Sequence, residues 1–327
     1  MPDAVVVTRD LKKYFSSRNG PVKAVDGVDL EVFPGEIFGF LGPNGAGKTT
    51  TLRILTTLVR ADSGTAIIAG FDVLREPGDV RRNIGYVGQA GGADRPATGR
   101  ENLILQGRLY DMTLQQAKER ATELIAALDL TEFADRIAHT YSGGQLRRLD
   151  VALGIMHRPK GLFLDEPTTG LDPQNRANLW VQIGKLRDMG VTVFLTTHYL
   201  EEADALSDRL AIMDHGKIVA EGTPKQLKKL VAGDTISVGL KDDRKNAAVA
   251  ALLEQKHFVR DFAIENSHVR IVVEEGSKVM PEILRLFDQE QIEIATITLA
   301  VPTLDDVFLK QTGRTLRDTG TTGGERR

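Results

Sequence analysis

The stretch from Gly42 to Thr50, with the sequence GPNGAGKTT, constrains this chain more than any other. It satisfies the pattern G-x-x-x-x-G-K-[ST] of a phosphate-binding loop. Residues 36–41 before it form a short apolar run typical of a buried strand, and Leu52, Leu55 and Val59 follow at helical spacing. This strand–loop–helix context favours a phosphate loop over the alternative, a flexible glycine turn.

Each part of the loop has a predicted role in phosphate binding. The glycines allow tight turns that point backbone N–H groups at phosphate oxygens, and the helix N-terminus adds a partial positive charge. Lys48 is expected to reach the β- and γ-phosphates, and the Thr49 hydroxyl to ligate Mg²⁺. The predicted nucleotide-binding residues of the loop are Gly42, Pro43, Asn44, Gly45, Ala46, Gly47, Lys48, Thr49 and Thr50.

Length and composition exclude several other functions. A chain of 327 residues suggests one large or two ordinary domains. Its 42 basic and 45 acidic residues give a net charge of −3, which argues against broad nucleic-acid binding. Cysteine is missing from the sequence, which excludes disulfides, and the histidines lack metal-ligand spacing. Without a signal-peptide pattern or an apolar run of about 20 residues, we expect a cytosolic, soluble protein. If it works at a membrane, another chain must supply the membrane span.

Polar side chains come at or just after the ends of three further predicted strands: Gln89, the pair Asp165 and Glu166, and His198. Because ligands of open α/β sheets bind at the carboxyl ends of strands, we expect these side chains around one sheet edge, beside the phosphate loop. Taken singly, each also has a simpler interpretation: a solvated loop glutamine, a solvated acidic pair and a structural histidine.

The two adjacent carboxylates, Asp165 and Glu166, are expected to have different roles. Neighbouring residues on a strand point to opposite faces, so Asp165 is expected to hold Mg²⁺ through water while Glu166 faces the γ-phosphate as a base. Gln89 is a candidate to touch Mg²⁺ or the attacking water.

Two further sites are predicted with alternatives. Ser142, Gly143, Gly144 and Gln145 precede an apolar helix face, and they indicate either a second anion site or a helix cap without a ligand. Tyr14, which follows the first predicted strand at Ala4–Thr8, is either a platform for a nucleotide base or an ordinary, partly buried aromatic.

The chain has a predicted boundary near Gly233. Before it, two early strands indicate a small antiparallel layer beside a parallel core, and residues 100–159 are predicted to be helical. Beyond it, residues 235–299 follow the order β-α-β-β-α-β of a ferredoxin-like domain. Residues 313–327 are rich in Gly, Thr and Arg and are predicted to be a disordered tail.

Six ordered motifs resemble those of ATP-binding cassette (ABC) ATPases over residues 1 to about 225. The Walker A motif corresponds to Gly42–Thr49, the Q-loop to Gln89 and the signature to Ser142–Gln145. The Walker B motif corresponds to Leu162–Glu166, the D-loop to Asp172 and the H-switch to His198. The resemblance implies an α/β P-loop NTPase fold with a RecA-like core, an antiparallel β layer and a helical subdomain at about 90–158. It places the nucleotide-binding domain at 1–231 and a ferredoxin-like accessory domain at 232–312.

The resemblance also implies a mechanism. ATP and Mg²⁺ are the expected cofactors, and a homodimer is expected in which the signature of one copy closes over the nucleotide of the other. Glu166, His198 and Gln89 are implied as catalytic residues, and Thr49, Gln89 and Asp165 as metal ligands. Tyr14 matches the family's base-stacking aromatic and joins Ser142, Gly143, Gly144, Gln145 and Asp172 as nucleotide-binding residues outside the loop.

Within the family, three short sequence segments resemble those of daunorubicin/doxorubicin-resistance exporter subunits: residues 25–28, 98–102 and 304–309. The similarity implies an ATPase on the cytoplasmic face of the membrane that drives a separate ABC-2 type permease exporting hydrophobic drugs, antibiotics or lipid-like compounds. Tyr141 departs from the usual signature leucine. The alternatives are a non-transport ABC ATPase, which needs a second cassette or a long coiled coil, and an ATP-switched drug-sequestering protein.

Overall fold

Strands and helices alternate along the chain in the computed structural model, which describes residues 4–17, 20–231 and 233–314. The chain forms two compact units, one ending at Pro224 and the other beginning at Lys225. This division lies ahead of the predicted boundary at 231. The assignment of a nucleotide-binding and an accessory domain stays a prediction.

The first unit contains ten strands and seven α-helices in its described residues. The strands are β1 (Val6–Phe15), β2 (Val22–Val32), β3 (Ile37–Leu41), β4 (Ser63–Ile68), β5 (Phe71–Asp72), β6 (Ile84–Val87), β7 (Gly161–Asp165), β8 (Thr192–Thr197), β9 (Arg209–Asp214) and β10 (Lys217–Gly222). The helices are α1 (Lys48–Leu55), α2 (Pro77–Asn83), α3 (Gly99–Leu109), α4 (Leu114–Ala127), α5 (Gly143–Gly154), α6 (Pro173–Asp188) and α7 (Leu200–Leu206), with a 3₁₀ turn at Ala138–Thr140.

A six-stranded sheet in the order β10-β9-β3-β8-β7-β6 carries the phosphate loop on its third strand. All its pairings are parallel except that of β9 with β10. Every residue of β3, β7 and β8 is buried, as expected for apolar strands covered on both faces. The Phe194 ring packs 5.7 Å from that of Phe38 and 5.6 Å from that of Phe163, measured between centroids. This aromatic contact joins the three central strands.

A second sheet, in the order β2-β1-β4-β5, is antiparallel and is the small layer that the sequence predicts. The first strand is longer than the apolar run suggests. The strand continues past Thr8 although its pairing with β2 is irregular between Thr8 and Leu11, where Asp10 has a φ of 46°. The polar segment that follows the apolar run therefore belongs to the strand.

Three helices, α3, α4 and α5, each begin with a capping box. Thr98, Thr113 and Ser142 each accept a bond from the backbone three residues on, where a Glu or Gln side chain bonds back. These signals explain why helices were predictable here. The sequence analysis did not predict α2, which starts at Pro77. Proline is favoured at a first helical position, so a start signal was present.

The second unit has the predicted ferredoxin-like arrangement. Its elements are α8 (Pro224–Lys229), β11 (Asp234–Leu240), α9 (Asn246–Glu254), β12 (Val259–Glu265), β13 (His268–Val273), α10 (Gly276–Gln289), β14 (Ile294–Ala300) and α11 (Leu304–Thr312). The strands pair antiparallel in the order β12-β13-β11-β14. The final helix ends at Gly313, which has a φ of 74°. Most of the predicted tail, residues 315–327, lies outside the described residues.

Among the described residues, no helix combines the length and the apolar character needed to cross a membrane.

Replacing Phe194 by Ala should lower the free energy of unfolding by about 3–5 kcal/mol, because the cavity would open where three strands meet. Chemical denaturation of the full chain measures this loss. Phe15, which is 43% exposed, provides the control, since Phe15→Ala removes the same side chain from the surface. Equal effects of the two substitutions would contradict the assignment of Phe194 to the central core.

Candidate nucleotide-binding and hydrolysis site

The phosphate loop connects β3 to α1 as the sequence predicts. Gly45 and Gly47 have φ values of 80° and 110°, a region that favours glycine. A Cβ added at Gly47 would lie 2.0 Å from the carbonyl oxygen of Ala24. The loop therefore needs glycine at this position for two reasons, its backbone conformation and the close approach of β2.

Lys48 is buried under the loop, with 4% of its residue surface exposed. Its Nζ donates hydrogen bonds to the carbonyl oxygens of Gly42 (2.7 Å) and Pro43 (3.1 Å). The same nitrogen lies 3.5 Å from Glu166 Oε1. Burial lowers the pKa of Lys48, while the neighbouring carboxylate of Glu166 acts to raise it. The ammonium is thus held at the loop beside one opposite charge.

Asp165, the last residue of β7, is 1% exposed and is anchored by two hydroxyl groups. The Thr49 hydroxyl, at the start of α1, donates to Asp165 Oδ1 over 3.0 Å, and the Thr196 hydroxyl donates to the same oxygen over 2.8 Å. These two bonds tie the carboxylate to the helix after the phosphate loop and to the adjacent strand.

Glu166 lies just beyond the strand and has a φ of 46°, in the left-handed region. This corrects the reasoning from strand alternation. Because the strand ends at Asp165, the two carboxyl groups do not point to opposite faces, and both lie at the phosphate loop. The Glu166 backbone N–H donates to the Thr196 hydroxyl oxygen (3.0 Å), which helps to hold this unusual conformation.

His198 follows β8 and approaches Glu166. Its Nδ1 lies 3.3 Å from Glu166 Oε1, and the Thr169 hydroxyl donates to Oε2 over 3.2 Å. The contact with His198, followed by the charge of Lys48, lowers the pKa of Glu166 despite its burial. The carboxyl group is therefore ionised at neutral pH.

Gln89 is exposed and sits in the loop after β6. No hydrogen bond within the described ranges joins it to Lys48, Asp165, Glu166 or His198. It instead lines a cavity of about 620 Å³ whose wall also includes Leu58, Tyr110 and His157. The structure thus brings together Lys48, Thr49, Asp165, Glu166 and His198. It does not join Gln89 to them.

The signature residues lie at the start of α5, and the structure leaves them apart from the phosphate loop. The Ser142 hydroxyl accepts from the Gln145 backbone N–H (3.2 Å), while Ser142 and Gly143 are exposed. A Cβ at Gly144 would lie 2.3 Å from Asn175 Oδ1, so glycine is required there. Asp172 caps α6 by accepting from Asn175 N over 3.0 Å.

Tyr14 and Tyr141 both have their phenol groups fixed. The hydroxyl of Tyr141 donates to the Phe133 carbonyl oxygen (2.5 Å), so the unusual signature residue is anchored in the helical subdomain. The hydroxyl of Tyr14 donates to Asp26 Oδ1, also over 2.5 Å. The backbone of Asp26 bonds to Gly216, which in turn bonds to Ala46 of the phosphate loop. Backbone hydrogen bonds thus connect Asp26, which holds the Tyr14 hydroxyl, to the phosphate loop.

Two residues of the site were missed by the sequence analysis. Thr196 bridges Asp165 and Glu166 as described above. Arg147 is 7% exposed and donates to the carbonyl oxygens of Pro167 (2.7 Å), Gly88 (2.7 Å) and Asp165 (3.2 Å). A threonine in an apolar strand and an arginine in a helix give no local signal of burial. Only the folded arrangement reveals them.

The fold and the loop define a P-loop nucleotide-binding protein built as an α/β cassette. The ABC transporter family profile matches residues 25–169, and the profile of the DrrA1-3-like C-terminal domain matches residues 222–312.

Two curated relatives match nearly the whole chain. The doxorubicin resistance ATP-binding protein DrrA of Mycobacterium tuberculosis is 43% identical over 315 residues, 95% of this chain and 94% of that protein. The daunorubicin resistance ATP-binding protein DrrA2 of Streptomyces coeruleorubidus is 45% identical over 303 residues, 92% of this chain and 94% of that protein. The chain therefore belongs to the ATP-binding subunits of ABC transporters, a family of ATPases coupled to transport, and the predicted resemblance is confirmed.

Solved structures resemble the first unit. The dimeric ATP-binding cassette MJ0796, in a post-hydrolysis state with ADP and Pi, is 26% identical with a TM-score of 0.60, covering 67% of this chain and 98% of that one. A nucleotide-free ATP-binding cassette from an ABC transporter is 27% identical with a TM-score of 0.58, covering 67% and 91%. The predicted fold class is confirmed.

Thr196→Val should reduce ATP hydrolysis and lower the free energy of unfolding by about 1–3 kcal/mol, because it removes a donor to buried Asp165 and an acceptor for Glu166 N. Phosphate release and thermal unfolding measure the two effects. Thr196→Ser keeps the hydroxyl and serves as the control. A valine variant with wild-type hydrolysis would show that this bridge does not matter.

Proposed function

We propose that this chain is the ATP-hydrolysing subunit of an ABC-2 type exporter that removes hydrophobic drugs, antibiotics or lipid-like compounds from the cell. The observation that carries the hydrolytic part is the convergence of Lys48, Glu166 and His198 at the phosphate loop, with Glu166 Oε1 3.5 Å from Lys48 Nζ and 3.3 Å from His198 Nδ1. The drug-export part is supported by relatives named for doxorubicin and daunorubicin resistance.

In this proposal the loop binds the phosphates of ATP, and Tyr14 stacks on the base. Backbone N–H groups of the loop and of the start of α1 face the phosphate chain. Lys48 exchanges its bonds to the loop carbonyls for the β- and γ-phosphate oxygens.

The residues present fit a Mg²⁺ ion. Mg²⁺ prefers one or two carboxylates together with substrate phosphates, and Asp165 and Thr49 supply adjacent oxygen atoms 3.0 Å apart. Gln89 is the third proposed ligand, which its exposed loop would bring in on closure. The ion supplies charge neutralisation for the transferred phosphoryl group.

Glu166 is the proposed catalytic base. Its lowered pKa keeps the carboxylate ionised, so it is able to orient the attacking water and accept its proton. His198 contacts Glu166 and is proposed to donate to the γ-phosphate. Because phosphoryl transfer depends mainly on positioning and charge, these fixed side chains supply what the reaction requires.

The signature residues Ser142, Gly143, Gly144 and Gln145, together with Asp172, are proposed to act on ATP bound by a second copy of the chain. Among the described residues no hydrogen bond joins them to the phosphate loop of their own chain, and Ser142, Gly143 and Asp172 are exposed. A related cassette is dimeric in its solved structure. Two symmetric sites per homodimer follow from this arrangement.

Glu166→Gln should bind ATP, hydrolyse it very slowly and accumulate as an ATP-bound dimer, because it keeps the shape of Glu166 but loses the carboxylate. Adding Ser142→Arg should prevent the dimer and leave monomer binding intact. Size-exclusion chromatography with ATP and a phosphate-release assay measure these effects.

Mixed variants supply the control for a shared site. A heterodimer of Lys48→Ala and Ser142→Arg chains has one site with both defects and one with neither, so activity should return on mixing. If Glu166→Gln stays monomeric with its permease present, or if mixing restores nothing, the shared site is contradicted.

We propose that the permease docks in the cavity that Gln89 lines. Leu58 is 56% exposed on its wall, and the Tyr110 and His157 rings stack 3.7 Å apart there. Arg53 and Arg81 add exposed positive charge. These features suit a short amphipathic helix with an acidic residue, presented at the cytoplasmic face of the membrane. Contact there would link the permease to Gln89.

Leu58→Asp should abolish co-purification of a six-helix membrane protein from host membranes while ATP binding persists. Placing a charge on the apolar wall removes its fit to a helix. Leu114→Asp is the matched control, since Leu114 is 52% exposed and does not line the cavity. Unchanged co-purification with Leu58→Asp would contradict docking here, and the lack of any six-helix partner in the wild type would contradict the transport proposal.

A further inference from the structure

A buried acidic side chain lies behind the two segments that carry Glu166 and His198. Glu202, on α7, is fully buried. Its Oε1 accepts a hydrogen bond of 3.2 Å from the indole N–H of Trp180 on α6. The hydroxyls of Thr168 and Thr197 also face this carboxyl group. One side chain therefore bonds to α6 and faces the two segments after β7 and at the end of β8.

These two segments position the catalytic groups. Thr168 comes two residues after Glu166, and its carbonyl oxygen accepts from the Leu171 backbone in the turn that leads to Asp172. Thr197 comes directly before His198, and its own carbonyl oxygen accepts from Gly42 N at the start of the phosphate loop. A shift of either threonine would therefore move a catalytic side chain.

The surroundings of the Glu202 carboxyl group shift its pKa upward. Burial raises the pKa of Glu202, against the opposing effects of the neighbouring hydroxyls, the indole and the Arg176 charge. Arg176 itself packs over the Tyr199 ring, with its guanidinium carbon 4.4 Å from the centroid. A neutral acid has one O–H to donate, whereas a carboxylate has none.

Two buried oxygen atoms in this cluster lack a hydrogen bond. Within the part of the chain that the structure describes, neither Glu202 Oε2 nor Thr168 Oγ1 has a partner at bonding geometry. Leaving buried polar atoms unpaired is costly. A small movement of the Thr168 turn toward Glu202 would satisfy both atoms with one bond, and that movement would also carry Glu166.

We propose that Glu202 is a positioning residue whose buried carboxyl group joins Trp180, Thr168 and Thr197, and so holds Glu166 and His198 in their catalytic arrangement. The proposal rests on the roles proposed above for Glu166 and His198. It assigns no contact between Glu202 and ATP, so Glu202 acts on the rate of hydrolysis and not on nucleotide binding.

Kinetics of the full chain separate positioning from binding. Glu202→Ala should lower kcat by about tenfold to a hundredfold, as expected for misplaced catalytic groups, with KM for ATP unchanged. Glu202→Gln has the shape of the neutral acid and a donor N–H, so it should retain most of the wild-type kcat. Glu201→Ala is the matched control, because Glu201 is the exposed neighbour on the same helix.

Trp180 supplies a second readout, because it is the only tryptophan in the chain. Adding ATP should change its fluorescence in the wild type and in Glu202→Gln, because the carboxyl or amide group transmits movement of the Thr168 turn to the indole. The change should be lost in Glu202→Ala.

Several outcomes would overturn the proposal. A wild-type kcat for Glu202→Ala would do so, as would a Glu202→Gln protein as slow as the alanine variant, since a charged carboxylate would then be required. If Glu202→Ala does not fold, Thr168→Val tests the same contact, and an unchanged kcat there overturns the proposal. Failure of the hydrolysis mechanism is distinguishable, because Glu166→Gln would then hydrolyse ATP normally whatever the Trp180 response.

Discussion

The hydroxyl of Thr196 is the point on which the arrangement of the site depends. It donates to Asp165 and accepts from the backbone of Glu166, so one side chain from β8 fixes two acidic residues from β7. The parallel pairing of β7 with β8 places Asp165 opposite Thr196. Strand register therefore determines where the carboxylates lie, and the aromatic packing of Phe194 between Phe38 and Phe163 stabilises that register from within the sheet.

A second layer of contacts surrounds this centre and connects it to the rest of the first unit. Arg147 extends from α5 to the carbonyl groups after β6 and β7, so the helix that begins with the signature is bound to the strand ends. Glu202 on α7 accepts a hydrogen bond from the indole of Trp180 and so connects α7 to α6. Both are charged residue types taken into the interior, where hydrogen bonds must replace water.

The sequence allowed much of this architecture to be predicted, for physical reasons that are local. The phosphate loop, the buried strands around it and the capped helices all have signals within a few residues. The two strands that precede the phosphate loop, β1 and β2, and the β-α-β-β-α-β order of the second unit also follow from local patterns. By contrast, α2 was hidden in a polar stretch, and β1 continues through a pairing irregularity that no propensity indicates.

The sequence predicted that Lys48, Asp165, Glu166 and His198 would lie together, and the structure brings them together, but their geometry was less predictable. Adjacent carboxylates were expected on opposite faces, but the left-handed backbone of Glu166 brings both to the phosphate loop. The roles of Thr196, Arg147 and Glu202 depend on contacts between distant segments, and a single sequence does not record such contacts. Gln89 was expected with the others at the sheet edge, yet its exposed loop leaves it at the cavity wall.

The pairing of Lys48 with Glu166 has a consequence for genetics at this site. Each of these buried groups partly compensates the charge of the other, so removing either one leaves its partner with less compensation in the interior. A lysine variant therefore disturbs the group proposed for hydrolysis, and a glutamate variant disturbs the group proposed for binding. The phenotypes of the two single variants are not independent, and their energies will not add. The double variant Lys48→Ala/Glu166→Gln, in which both charges are removed together, is the reference state from which each contribution is to be measured.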